Sequence, residues 1–161
     1  MIHDSFSYKT AWQIKKYEND QAYAHGEAYE TVDIDGNLLL NEGITELLNL
    51  LIGAAATAFN NANAYIGVGD STTAEGATQT DLQATTNKTY KAMAATFPQV
   101  SAQTVTFQSV FTGTDANYAW QEFTVSNTSS GTGKNLNRKV SNQGTKVSGQ
   151  TWTVQLQITL S

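Results

Sequence analysis

The stretch from Thr151 to Leu160 constrains this chain most. Trp152, Val154, Leu156, Ile158 and Leu160 alternate there with Thr151, Thr153, Gln155, Gln157 and Thr159. A period of two puts all the apolar side chains on one side of an extended strand and all the polar ones on the other. One buried face and one wet face is the behaviour of antiparallel sheet. Weaker versions of the signal recur: Ala64, Ile66 and Val68 alternate ahead of Gly69-Asp70, Val105, Phe107 and Phe111 share a face, and Phe123 and Val125 share the next. Turn residues stand between these runs, at Asp35-Gly36-Asn37, in the Ser/Thr/Gly-rich stretch 126–133, and at Asn142-Gln143-Gly144. Short strands at such spacing predict a mainly β fold, an antiparallel β-sandwich or open barrel.

One helix interrupts the pattern, over residues 41–53. Ile44, Leu47, Leu48 and Leu51 fall at i, i+3, i+4 and i+7, which predicts an apolar stripe that plugs an end or edge of the sheet. Asn41 or Thr45 is available to cap its start, Glu42 and Glu46 suit its first turn, and Gly53 suits its end.

Residues 1–30 carry Phe6, Tyr8, Trp12, Tyr17, Tyr23 and Tyr29 without a clean period. They read as an extended N-terminal arm ahead of a β-rich domain at 31–161, with a strand at 28–34. Aromatic side chains in a loosely patterned terminal segment suit a strap laid on a partner, so Trp12, Tyr17 and Tyr23 are the expected anchors. Strands of the same domain are the competing reading of this segment. On the arm reading, deleting residues 2–24 abolishes partner binding and leaves the domain folded.

The chain has 161 residues and no cysteine, enough for one domain with its own core and no disulfide staple. Only 14% of residues are charged and the formal net charge is −5. Asn, Gln, Ser and Thr fill the deficit, leaving a surface that a neighbour can cover at small charge-desolvation cost. An acidic chain argues against nucleic acid as a partner, and no apolar run is long enough to cross a membrane. The first residues lack the order of a secretory signal. Charge is also split along the sequence: residues 1–81 carry three bases against twelve acids, and residues 82–161 six bases against two acids. Such a split suits contact between neighbouring copies.

Catalytic chemistry has few candidates. His3 and His25 are the only histidines, both in the arm segment, and no nucleophile elbow or zinc-binding helix motif is present. Asp33 and Asp35 flank a turn, and the sequence after them departs from a calcium loop: glycine comes too early and Ile44 stands where the bidentate Glu belongs. Gly67-Val68-Gly69 is an incomplete dinucleotide fingerprint, better read as a place of close backbone approach. The chain is read as a non-enzyme with no metal or cofactor. Lys134, Arg138, Lys139 and Lys146 form the one basic cluster; without an interleaved aromatic it suits an acidic protein neighbour better than a nucleic acid. Lys134, Arg138 and Lys139 join the expected contact residues.

Three stretches look familiar together: Gly36 to Ile44 (GNLLLNEGI); Asn63 to Ala74 (NAYIGVGDSTTA) followed by Thr80-Asp81-Leu82; and Trp120 to Asn127 (WQEFTVSN) with Leu136 to Val140, Gly144 to Lys146 and Gly149 to Val154. They resemble virion structural proteins of tailed bacteriophages, in particular small capsid cement or decoration proteins. The resemblance implies a β-rich domain on the outside of the head that clamps neighbouring major capsid proteins and meets its own copies as dimers or trimers. The second stretch is also similar to segments of tail-fibre and tail-tip proteins. That alternative implies a receptor- or carbohydrate-binding role, in which Tyr118, Trp120 or Tyr90 would stack on a sugar, core packing being the favoured reading of Trp120. A glycan-cleaving enzyme would need an acid pair such as Asp115 and Glu122 to converge.

Overall fold

The computed structural model describes residues 7–161. Ten strands and two helices follow in the order β1 (Tyr8–Tyr17), α1 (Asp20–His25), β2 (Glu30–Asp35), β3 (Leu38–Leu39), α2 (Asn41–Leu51), β4 (Tyr65–Gly69), β5 (Lys88–Ala92), β6 (Gln99–Ser101), β7 (Thr104–Phe111), β8 (Glu122–Ser126), β9 (Asn137–Val140) and β10 (Thr151–Leu160). They form two five-stranded sheets, ordered β2-β1-β10-β7-β6 and β3-β9-β8-β4-β5. Every pairing between named strands is antiparallel. The architecture is mainly β, two antiparallel sheets arranged as a β-sandwich, one of the two architectures the alternation predicts.

The core lies between the sheets. Trp12, Ile14, Phe107, Phe111, Val154 and Leu156 enter it from one, and Ile66, Val68, Phe123 and Val125 from the other. Trp120 stands at its centre, edge-on to Phe111 at 4.9 Å and to Trp152 at 4.8 Å between ring centroids. Its indole N–H donates to the Ala116 carbonyl at 2.9 Å, so the polar edge of the ring is satisfied inside the protein.

The N-terminal segment departs from the expectation of an arm. Residues 8–17 form β1, a strand inside its sheet, paired with β10 through Trp12↔Leu156 and Ile14↔Val154 and with β2 through Trp12↔Ile34. Trp12 has no exposed surface and Tyr17 is buried; neither is an anchor on a partner. Their burial is part of the core's apolar gain, and deleting residues 2–24 would remove the strand that joins β2 to β10. Residues 20–25 are helical because Asn19 accepts the Ala22 N–H at 2.8 Å and Gly26, at φ 72°, closes the last turn. Of the expected arm residues, His3 and Phe6 lie outside the described residues.

The split of charge along the sequence does not survive folding as a split in space. β1 pairs with β10, and β4 lies between β5 and β8, so acidic and basic halves interleave. Two ion pairs cross between them, Lys88 with Asp81 and Lys134 with Glu42.

Candidate functional site

Helix α2 forms where its sequence predicts, but the residues it buries are Gly43 and Glu46 rather than its apolar stripe. Its start is fixed by Leu40, a buried residue whose N–H donates to the Leu136 carbonyl at 3.1 Å. No side chain caps it, and Thr45 donates instead to the Asn41 carbonyl at 3.0 Å. Gly43 sits directly on the backbone of Leu136: a Cβ there would stand 2.4 Å from the Leu136 carbonyl oxygen. One turn on, the buried Glu46 accepts the Thr57 N–H at 2.7 Å and the Asn127 amide at 2.9 Å. Glu42 accepts the Asn135 N–H at 2.7 Å and lies 3.7 Å from Lys134. The loops beside β8 and β9 present donors that need acceptors, and the helix meets that need with its two carboxylates.

The consequence is an apolar stripe left outside. Leu48 is 57% exposed, Leu51 80% and Ile52 78%, with Ile44 and Leu47 also open to solvent. Between this stripe and the end of the first sheet runs a groove walled on the far side by Val100, Val105, Ile158 and Leu160, with Tyr8 at its floor. Among the described residues, no Asp, Glu, Lys, Arg or His lines it. Burial pushes the Tyr8 hydroxyl up to about 12, against the opposing effect of its hydrogen bond from Asn37.

The expected contact residues scatter. Arg138 is fully buried: its guanidinium lies 2.6 Å from the equally buried Glu122 and donates to the carbonyls of Thr73 at 2.8 Å and Ala74 at 3.2 Å, and to the Gln79 side chain at 3.0 Å. Glu122 also accepts the Gln83 and Ala84 N–H groups at 2.9 and 2.8 Å. The pair clamps the loop after β4 onto the second sheet, which is incompatible with Arg138 reaching a partner. Lys146 is buried as well, its ammonium donating to the Thr112 and Asp115 carbonyls and to Asn117; burial lowers its pKa. Lys134, Arg138, Lys139 and Lys146 form no basic surface cluster, since two of them are buried. Tyr23, 36% exposed, stacks edge-on to Tyr17 at 5.3 Å in the α1–β1 corner, while Lys139 is on β9 of the other sheet and Lys134 in the loop ahead of it, so the structure does not assemble these into one surface.

The residues weighed for sugar binding or acid chemistry are likewise engaged internally. Trp120 is in the core, Tyr118 donates to the Val68 carbonyl at 3.0 Å, and Tyr90 donates to Asp81. Asp115 is tied to Lys91 at 2.7 Å. Burial would raise the Asp115 pKa, but Lys91 and the Thr112 donors outweigh it and hold the carboxyl below its usual range. Gly67 and Gly69 mark close approach: a Cβ would stand 2.7 Å from the Tyr90 ring at the first and 2.5 Å from Glu122 at the second. Among the described residues no group of three His, Cys, Asp or Glu gathers to hold a metal, and no helix is long and apolar enough to cross a membrane.

Sequence reasoning missed the outward face of α2. The available signal was Gly43, since a glycine inside a helix costs about 1 kcal/mol against alanine and is retained where backbone must pass close by. That places the inward face on the line of Leu40, Gly43 and Glu46, about a quarter turn around the helix from the centre of the leucine stripe. Compared with known proteins, the chain matches no family model, no curated protein and no solved structure.

Proposed function

We propose that this chain is an assembly-building structural protein of the kind its sequence resembles, a capsid cement or decoration protein that sits on the outer surface of a phage head and clamps neighbouring major capsid proteins. One observation carries the reading: the fold commits its buried charges to its own loops and leaves an uncharged apolar face open to solvent. A face of that kind marks a contact surface on a soluble protein. The clamped loop after β4 supports it further, since a block stiffened by a buried ion pair loses little freedom on docking. Repeated over many copies, modest contacts add to a mechanical hold on the shell.

The test is co-sedimentation of purified protein with shells stripped of it, run beside intact host cells. Saturable binding to shells at a fixed stoichiometry is the expected result. Binding to cells alone refutes the cement reading in favour of a tail-associated receptor binder, whose sugar platform would then have to lie away from the buried Trp120.

A further inference from the structure

We infer that the outward face of α2 is a two-fold interface, covered by the same face of a second copy of this chain. The inference deepens the assembly reading by naming what occupies the open face. Ile44, Leu47, Leu48, Leu51, Ile52 and Val100 expose roughly 600 Å² of apolar surface together, at the upper end of what a soluble monomer leaves in one patch. Two such faces in contact bury about 1,200 Å², the lower bound for a specific, stable interface, before any flanking polar atoms are counted.

Charge selects the second copy over a different partner. A two-fold contact sets each residue against its own symmetry mate or a near neighbour, so any charge on the face meets its like. This chain carries a net −5, and two copies repel wherever acids face each other. Among the described residues the groove and stripe hold no charged side chain, because Glu42 and Glu46 are drawn to the inner side of the helix by Asn135, Thr57 and Asn127. A surface selected for an oppositely charged partner would carry charge. Shape agrees: the protruding Leu51 and Ile52 stand beside a groove of about 670 Å³ on the same surface, so the ridge of one copy has a recess on the other, and the reverse.

Sedimentation velocity of the purified chain, from low micromolar to near-millimolar concentration, tests this without any shell present. The expected species has twice the 17.4 kDa chain mass. Leu48→Glu combined with Leu51→Glu places four carboxylates across the two-fold axis and should raise the dissociation concentration at least 100-fold, with the circular dichroism spectrum unchanged because both side chains are exposed. Because the chain has no cysteine, a second measurement is independent of that variant's folding: Leu48→Cys should form a disulfide-linked dimer under mild oxidation, and Val147→Cys, exposed on a different part of the surface, should not. A single-chain mass at every concentration, or equal crosslinking at both positions, overturns the inference. Shell binding by a protein that stays monomeric removes this inference and keeps the proposed function; a dimer that ignores shells does the reverse.

Discussion

Replacing Arg138 with methionine isolates the electrostatic part of this fold's stability. Methionine keeps most of the side chain's length and volume, so little cavity forms. What disappears is the guanidinium 2.6 Å from Glu122 and its donors to Thr73, Ala74 and Gln79. Glu122 keeps two backbone N–H groups but loses its counter-charge in a site with no exposed surface. Removing one partner of a buried pair costs about 3–5 kcal/mol, a large part of the roughly 5–15 kcal/mol that holds a domain together. At about 2–4 °C per kcal/mol for a chain of this size, Tm falls by about 6–20 °C. Urea unfolding followed by tryptophan emission measures it, since Trp12, Trp120 and Trp152 are all buried. Adding Glu122→Gln should recover part of the loss by removing the stranded charge. A loss under about 1 kcal/mol, the scale of an exposed pair, refutes the reasoning: the attraction would then merely cancel its own desolvation, and the loop after β4 would be held by something else.

Three further outcomes are expected. Gly43→Ala gains about 1 kcal/mol of helix propensity but drives a methyl into the Leu136 backbone at about 1–3 kcal/mol; thermal melts should show a net loss, and a rise in Tm contradicts the packing. Trp12→Ala should cost about 3–5 kcal/mol as a core truncation, while Tyr23→Ala, losing one edge-on contact at a partly exposed site, costs about 1 kcal/mol or less; equal effects in urea titrations would return Trp12 to the surface. Burial holds Tyr8 and Tyr118 at about 12, above the ordinary tyrosine value of about 10. The unfolded chain therefore releases these protons first, and the stability they lend is complete below pH 10 and lost as pH rises toward 12. Phenolate absorbance should show these two hydroxyls ionising only with alkaline unfolding; a single titration near pH 10 in a still-folded protein contradicts it.

The sandwich is legible in the sequence because β10 alternates strictly and the turns at Gly36 and Gly144 carry residues suited to positive φ. β1 is not legible for a physical reason. Its inward side includes Thr10 and Lys16 among Trp12 and Ile14, and a strand with polar residues on its buried side loses the period that marks it. Lys16 is tolerated there because its ammonium pairs with Glu30 at 2.6 Å, donates to the Gln143 carbonyl at 2.8 Å and lies 4.6 Å from the centre of the Trp152 ring. Helix α2 shows the converse. Its period is read correctly, but period gives only the width of an apolar stripe, and the direction it faces was decided by donors on Asn127 and Asn135 far along the chain. The basic residues near the C-terminus fail as a cluster for a related reason: neighbouring positions on a strand and its loops point to opposite sides, and burial separates Arg138 and Lys146 from Lys134.

The place of β10 bears on when this protein becomes usable. β10 is the middle strand of its sheet, with β1 on one side and β7 on the other. Until residues 151–160 leave the ribosome, the β1–β2 and β6–β7 hairpins have nothing to join them, and the tryptophans meant for the core have no opposing wall. Folding must wait for synthesis to reach residue 160, and with pairings spanning nearly the whole chain it should proceed on the millisecond-to-second scale of high-contact-order β proteins. A product cut short before residue 151 cannot close the sandwich. Synthesis through residue 160 thus acts as a checkpoint, because only a copy that carries β10 can present a folded surface to its neighbours.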